Sequence, residues 1–179
     1  MSLSRRPTCR STTRQWHDRG VTSPNKTSTA TLHTNRGDIV IELFGNHAPK
    51  AVENFTGLAD GSKEYTTANA SGGTSGPFYD GAVFHRVIDG FMAQTGDVEH
   101  GKEGGNTARA GTGGSEKPDL KAEFSGVPHD RGTLGAARSA SPDSANSQFF
   151  INFGDNHFLN RQYTVYGRVT QGMDHVDKI

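Results

Sequence analysis

Three observations predict a mainly β, antiparallel architecture of the barrel or sandwich kind for this chain of 179 residues. Its apolar residues fall in short runs of the length of strands, too short for helices of ordinary size. Gly-containing turn sequences separate neighbouring runs. Glycine accounts for 23 residues, thirteen of them between Gly61 and Gly114, and so dense a cluster favours long surface loops over helices.

In chain order, Thr31–Thr34 and Ile39–Phe44 flank Asn35-Arg36-Gly37-Asp38, a pattern that predicts a β-hairpin around a glycine-containing turn. Pro49 stands where a first helical turn tolerates proline. It is followed by Val52, Phe55, Leu58 and Ala59 on one face, with Gly61 as the stop, so a helix over one side of a sheet is expected. A Gly/Ser/Thr-rich loop spans residues 62–81. Val83–Ile88 and Phe91–Gln94 then flank Asp89-Gly90, a second hairpin. The glycine-rich stretch 95–118 is too long for a plain connection, which marks it as a functional loop. Further strands are expected at Thr133–Ala137, Gln148–Phe153 and Tyr163–Val169, and the start of a helix from Gly172.

The formal net charge of zero hides two opposite regions. Residues 1–26 carry +5 and the remainder −5. An acidic body argues against nucleic-acid binding, which needs a basic face against phosphates. Residues 1–28, rich in Ser, Thr and Arg and without apolar periodicity, are expected to be a disordered tail ahead of one domain, 29–179. No run approaches the length of a membrane span, and the N-terminus lacks the apolar core of a secretion signal. Cys9 alone permits no internal disulfide or multi-cysteine zinc site. A cytoplasmic location follows as the expectation, with organelle import through the basic tail as its alternative.

Several chemistries drop out on spacing. Gly111-Thr112-Gly113-Gly114 lacks the third glycine of a dinucleotide loop, and Gly101-Lys102-Glu103 lacks the Ser/Thr that a P-loop lysine requires. Neither a Gly-x-Ser-x-Gly elbow nor a His-Glu-x-x-His pair occurs. His100, between Glu99 and Gly101, is expected in a solvated loop and not at a metal. What remains is the segment Phe84–Asp97. There Arg86, Met92 and Gln94 sit at even spacings across a tight hairpin, so their side chains share one face. Fixed donors beside Met and Phe make a greasy patch suited to a peptide or a proline ring. Periodicity alone leaves open a barrel core from which Arg86 snorkels to solvent.

That segment, with Ser147–Ile151 and Tyr163–Val169, resembles a cyclophilin, a peptidyl-prolyl cis-trans isomerase of bacterial type, over about Ala30 to Ile179. The resemblance implies a closed eight-stranded antiparallel barrel with two capping helices, no cofactor and no metal. It implies that Arg86 is the catalytic arginine and Gln94 the polar residue beside it. Phe91, Met92, Phe150 and Leu159 would hold the proline ring. Gly111, Ala137, Arg138 and Gln148 would form the groove for the residues before the proline. Arg138 replaces an Asn of many eukaryotic members, Tyr163 replaces a His at the pocket edge, and Phe158 replaces the Trp that contacts cyclosporin, so weakened drug binding is expected. Implied partners are proline-containing peptides and folding proteins, with the chain a monomer; the alternative is a non-catalytic proline-peptide-binding module of the same fold. Family members continue beyond the helix near Met173 into a last strand that closes the barrel beside the first. This sequence ends at Ile179, so the strand around Thr31–Thr34 is expected to keep an unpaired edge.

Overall fold

The computed structural model describes residues 7–9, 28–115 and 118–179. Its elements are β1 (Pro7–Cys9), β2 (Ser28–Thr34), β3 (Gly37–Leu43), α1 (Pro49–Asp60), β4 (Arg86–Ile88), β5 (Met92–Thr95), β6 (Thr133–Ala136), β7 (Phe149–Asn152), β8 (Val165–Gln171) and α2 (Met173–Val176). Single 3₁₀ turns lie at Thr107–Arg109 and His157–Leu159. The strands form one antiparallel sheet in the order β1-β2-β3-β8-β6-β7-β5-β4. The fold is mainly β with two helices, as the sequence predicts.

Both predicted hairpins form. Thr34 pairs with Gly37 across a two-residue turn, and Arg86 pairs with Gln94 around the Asp89-Gly90 turn. The burial of β3 alternates, placing Ile39, Ile41 and Leu43 inward. Helix α1 lays Val52, Phe55, Leu58 and Ala59 on that face and stops at Gly61, whose φ of 80° suits a residue without a side chain. The Phe55 ring sits against Tyr79, Phe149 and Tyr166 at centroid distances of 5.3–5.7 Å. These contacts tie the helix to β7 and β8. No side chain at Ala48 caps the helix, and its first free N–H groups instead meet Glu123. The carboxylate accepts from Lys50 N at 3.1 Å and Ala51 N at 2.9 Å, favourably placed at the positive end of the helix.

At the sheet edge the structure departs from expectation. The edge of β2 is not bare, because β1 pairs with it antiparallel in the register Pro7↔Thr34, Thr8↔His33 and Cys9↔Leu32. An edge strand offers a row of backbone donors and acceptors that any extended segment satisfies without apolar side chains, so composition gave no sign of this pairing. Residues 7–9 are thus an exception to the disordered tail. Residues 1–6 and 10–27, to which the rest of that expectation applies, lie outside the described residues.

Candidate active site

A second, smaller apolar cluster lies apart from the main core. Met92, Phe150 and Leu159 are buried in it, with Phe91, Ala137 and Tyr163 packed around them. They line a cleft of about 470 Å³ together with His85, Arg86, Gln94, Ala110, Gly111, Thr112 and Arg138. The β4–β5 hairpin brings Arg86 opposite Gln94, and β7 places Phe150 opposite Gln94 on its other side, so one polar pair borders the apolar floor. Arg86 is exposed, and among the described residues no hydrogen bond or ion pair engages its guanidinium, so its donors are available to a ligand.

A chain of amides fixes the adjoining groove. Gln94 Nε2 donates to Gln148 Oε1 at 2.9 Å, and Gln148 Nε2 donates to the carbonyls of Gly111 at 2.9 Å and Gly113 at 2.8 Å. The loop around Gly111 and Gly113 is thereby held against the strands as a wall. Gly111 adopts φ 98°, a conformation that side chains resist, and leaves the groove face open for a substrate backbone. Ala137 N donates to Gln148 O at 3.0 Å, continuing the β6–β7 ladder to the groove floor. A second depression along this wall is lined by Gln94, Gly111, Ala137, Arg138 and Gln148, so the predicted groove residues converge. Phe158 does not line the cleft. It is 70% exposed, its ring centred 5.7 Å from that of Phe91 at the rim.

Several residues that position this site carried no local signal. Asp97 is fully buried and accepts from His100 N at 2.9 Å, Gly111 N at 2.7 Å and Gly113 N at 3.1 Å, so it folds the wall loop back on itself. His100 belongs to this packed turn and is buried, not solvated as expected, because the loop closes over it. Behind the apolar floor, Asn156 Nδ2 donates to Phe91 O at 2.9 Å and to Asn152 Oδ1 at 2.8 Å. Asn152 Nδ2 in turn donates to Thr133 Oγ1 at 2.8 Å. Gly135 lies directly opposite Phe150, and any side chain there would run into the Phe150 ring. Only the pairing of β6 with β7 reveals that need.

Burial disfavours the charged form of two histidines near the site. Burial lowers the pKa of His85 from its ordinary 6.5, outweighing the opposing pull of Asp97. Burial likewise lowers His129, against its hydrogen bond to the Tyr163 carbonyl. Its Nδ1 lies 3.3 Å from the Asn152 amide nitrogen, which suits an acceptor and not a protonated ring. A folded-state pKa below the unfolded value means that the unfolded chain takes up these protons first. The stability they contribute is complete above about pH 6.5 and is lost as the pH falls through the folded values. We expect the unfolding midpoint to drop as the pH falls below about 6.5 in thermal melts, and His129→Gln to shrink that drop. An unchanged slope in this variant would rule out the His129 ring as a source.

Among the described residues one group, Asp130, Asp155 and His157, brings three potential metal-ligand atoms within 4.8 Å of one another. All three are exposed; Asp130 already meets His157 Nε2 at 2.7 Å, and Asp155 accepts the Arg131 N–H at 2.9 Å. No described helix is long and apolar enough to cross a membrane.

Known proteins resemble the chain in sequence and in fold. The family model described as cyclophilin type peptidyl-prolyl cis-trans isomerase/CLD matches residues 29–179. The chain is 53% identical over 152 residues to peptidyl-prolyl cis-trans isomerase A of Mycobacterium tuberculosis, which covers 85% of this chain and 79% of the relative. It is 51% identical over 154 residues to a probable peptidyl-prolyl cis-trans isomerase of Brucella suis, covering 85% and 71%. Among solved structures, a Cryptosporidium parvum cyclophilin type isomerase crystallised in the presence of the dipeptide Ala-Pro superposes with a TM-score of 0.65 at 29% identity, covering 84% of this chain and 83% of that one.

Proposed function

The chain belongs to the cyclophilin-type peptidyl-prolyl cis-trans isomerase family, and we propose that it accelerates rotation about Xaa-Pro bonds in proline-containing peptides and folding proteins, with Arg86 as the group that favours the twisted amide. Amide resonance sets a barrier of about 18–20 kcal/mol to this rotation. No covalent chemistry is required to lower it. As the bond twists, the prolyl nitrogen loses conjugation and becomes a better hydrogen-bond acceptor. A donor aimed there binds the twisted form more tightly than either planar isomer, which is what lowers a barrier.

The observation that carries this reading is the Arg86 guanidinium, unengaged among the described residues, at the border of the apolar floor formed by Met92, Phe150 and Leu159. In this assignment the floor and Phe91 hold the proline ring while Gln94, Gln148, Gly111 and Ala137 hold the backbone before it. The residue between them rotates. A guanidinium stays charged and is weakly hydrated, so it works against an apolar wall where an ammonium would be costly to desolvate.

Exchange spectroscopy on a short Ala-Pro-containing peptide tests the assignment: a catalytic amount of the protein is expected to broaden and merge the cis and trans signals. Binding without exchange would establish a proline-peptide-binding module in its place. Exposed Phe158, where many members have tryptophan, is expected to leave cyclosporin binding weak while turnover persists. A monomer in the cytoplasm completes the proposal, checked by sedimentation and by cell fractionation.

A further inference from the structure

Two arginines line the cleft, and their guanidinium groups are used in opposite ways. Among the described residues that of Arg86 is unengaged, whereas that of Arg138 donates to backbone carbonyls of two separate segments. Its Nε and Nη2 donate to Gln162 O at 3.1 and 2.7 Å, and its Nη1 donates to Ser139 O at 3.0 Å. The same guanidinium lies over the Tyr163 ring, 4.4 Å from the centroid. Tyr163 in turn meets Phe150 edge-on at 5.7 Å, and Phe150 is the buried floor of the cleft.

The turn that carries Gln162 needs holding. Arg161 adopts φ 58°, a left-handed conformation unusual for a residue with a long side chain, directly before the carbonyl that Arg138 grips. That turn leads from the 3₁₀ turn bearing Leu159 to the start of β8. A fork of donors on the facing loop fixes the position of the carbonyl, and the cation stacked on the ring fixes Tyr163 as a wall. A lysine could supply the charge but not the fork.

We propose that Arg138 is a positioning residue that clamps the 160–163 turn to the 137–140 loop and so sets the Tyr163 wall of the proline pocket. The inference rests on the isomerase reading above but assigns Arg138 no contact with the reacting bond. It differs from a role in which the arginine selects substrates by charge, because the N–H groups aimed at Gln162 O and Ser139 O are not offered to a carboxylate.

Steady-state isomerisation by wild type, Arg138→Ala, Arg138→Lys, Tyr163→Ala and the Arg138→Ala/Tyr163→Ala pair decides it, on one peptide with alanine and one with glutamate before the proline. Arg138→Ala is expected to raise KM about threefold to tenfold with kcat nearly unchanged, equally for both peptides. Arg138→Lys should fall between alanine and wild type, and the double variant should be no worse than Tyr163→Ala alone. Full additivity of the two single losses would overturn the clamp, as would a loss confined to the glutamate peptide or a KM unaffected by Arg138→Ala. Absence of turnover in the wild type would instead remove the isomerase reading itself.

Discussion

Replacing Arg86 by alanine is expected to lower kcat about tenfold to a hundredfold, with peptide Kd changing much less. A charged hydrogen bond contributes about 1.5–3 kcal/mol net, and each ~1.4 kcal/mol of selective stabilisation is a factor of ten in rate. The asymmetry between rate and affinity is the diagnostic part. A donor that meets the prolyl nitrogen only when conjugation is lost stabilises the twisted state and neither planar isomer, so its removal leaves ground-state binding to the apolar floor and the Gln94–Gln148 wall. Arg86 is exposed on the three-residue strand β4 and its guanidinium engages no hydrogen bond among the described residues, so its loss is expected to leave the unfolding midpoint unchanged. Arg86→Lys retains charge but not the planar fork and should recover part of the rate. Exchange rates at saturating peptide, set beside titrated affinities, provide the check. Equal losses of rate and affinity would assign Arg86 to ground-state binding.

Asp97→Ala is expected to destabilise the fold by about 3 kcal/mol, on the order of 10 °C in the unfolding midpoint. The carboxylate is fully buried and is the shared acceptor for three backbone N–H groups, those of His100, Gly111 and Gly113. Alanine would leave those donors without a partner in a place that water reaches poorly, and an unsatisfied buried donor costs about 1–3 kcal/mol. Asparagine is a poor remedy because both carboxylate oxygens accept, and one would become a donor facing another donor. The effect should reach function as well, since the loop Asp97 folds presents the Gly111 and Gly113 carbonyls to Gln148, which orients Gln94. KM is therefore expected to rise with the loss of stability. Burial raises the Asp97 pKa, but the three N–H donors outweigh it and hold the pKa below the ordinary 3.8. Its contribution is thus fully present above about pH 4 and is lost as the pH falls through the folded value, at lower pH than the two histidines act. Thermal melts of the variant that match wild type would refute the shared-acceptor role.

The β4–β5 hairpin was legible because a strand's side chains repeat every two residues and Asp-Gly fixes the turn. That period put Arg86, Met92 and Gln94 on one face, and the structure pairs Arg86 with Gln94 and lines one cleft with all three. Phe150, Leu159, Ala137, Arg138, Gln148 and Tyr163 were reached by family resemblance alone, since nothing local connects residues so far along the chain. Gly135, Asp97, Asn152 and Asn156 were not singled out by either route. Each acts through a partner distant in sequence, the amide of Asn156 meeting Phe91 across 65 positions.

By itself the sequence determined the mainly β class, both hairpins, the bounds of α1 and the charge division of the chain. These are consequences of side-chain period, turn chemistry and composition, which act between near neighbours. Tertiary structure alone decided that β1 covers the edge of β2, that His100 is buried, and that, among the described residues, one arginine of the cleft is unengaged while the other is bound to carbonyls. Backbone groups at a sheet edge pair with whatever extended segment reaches them. A side chain's donors go to the nearest acceptors that folding delivers, and those distances exist only once the strands have found their order.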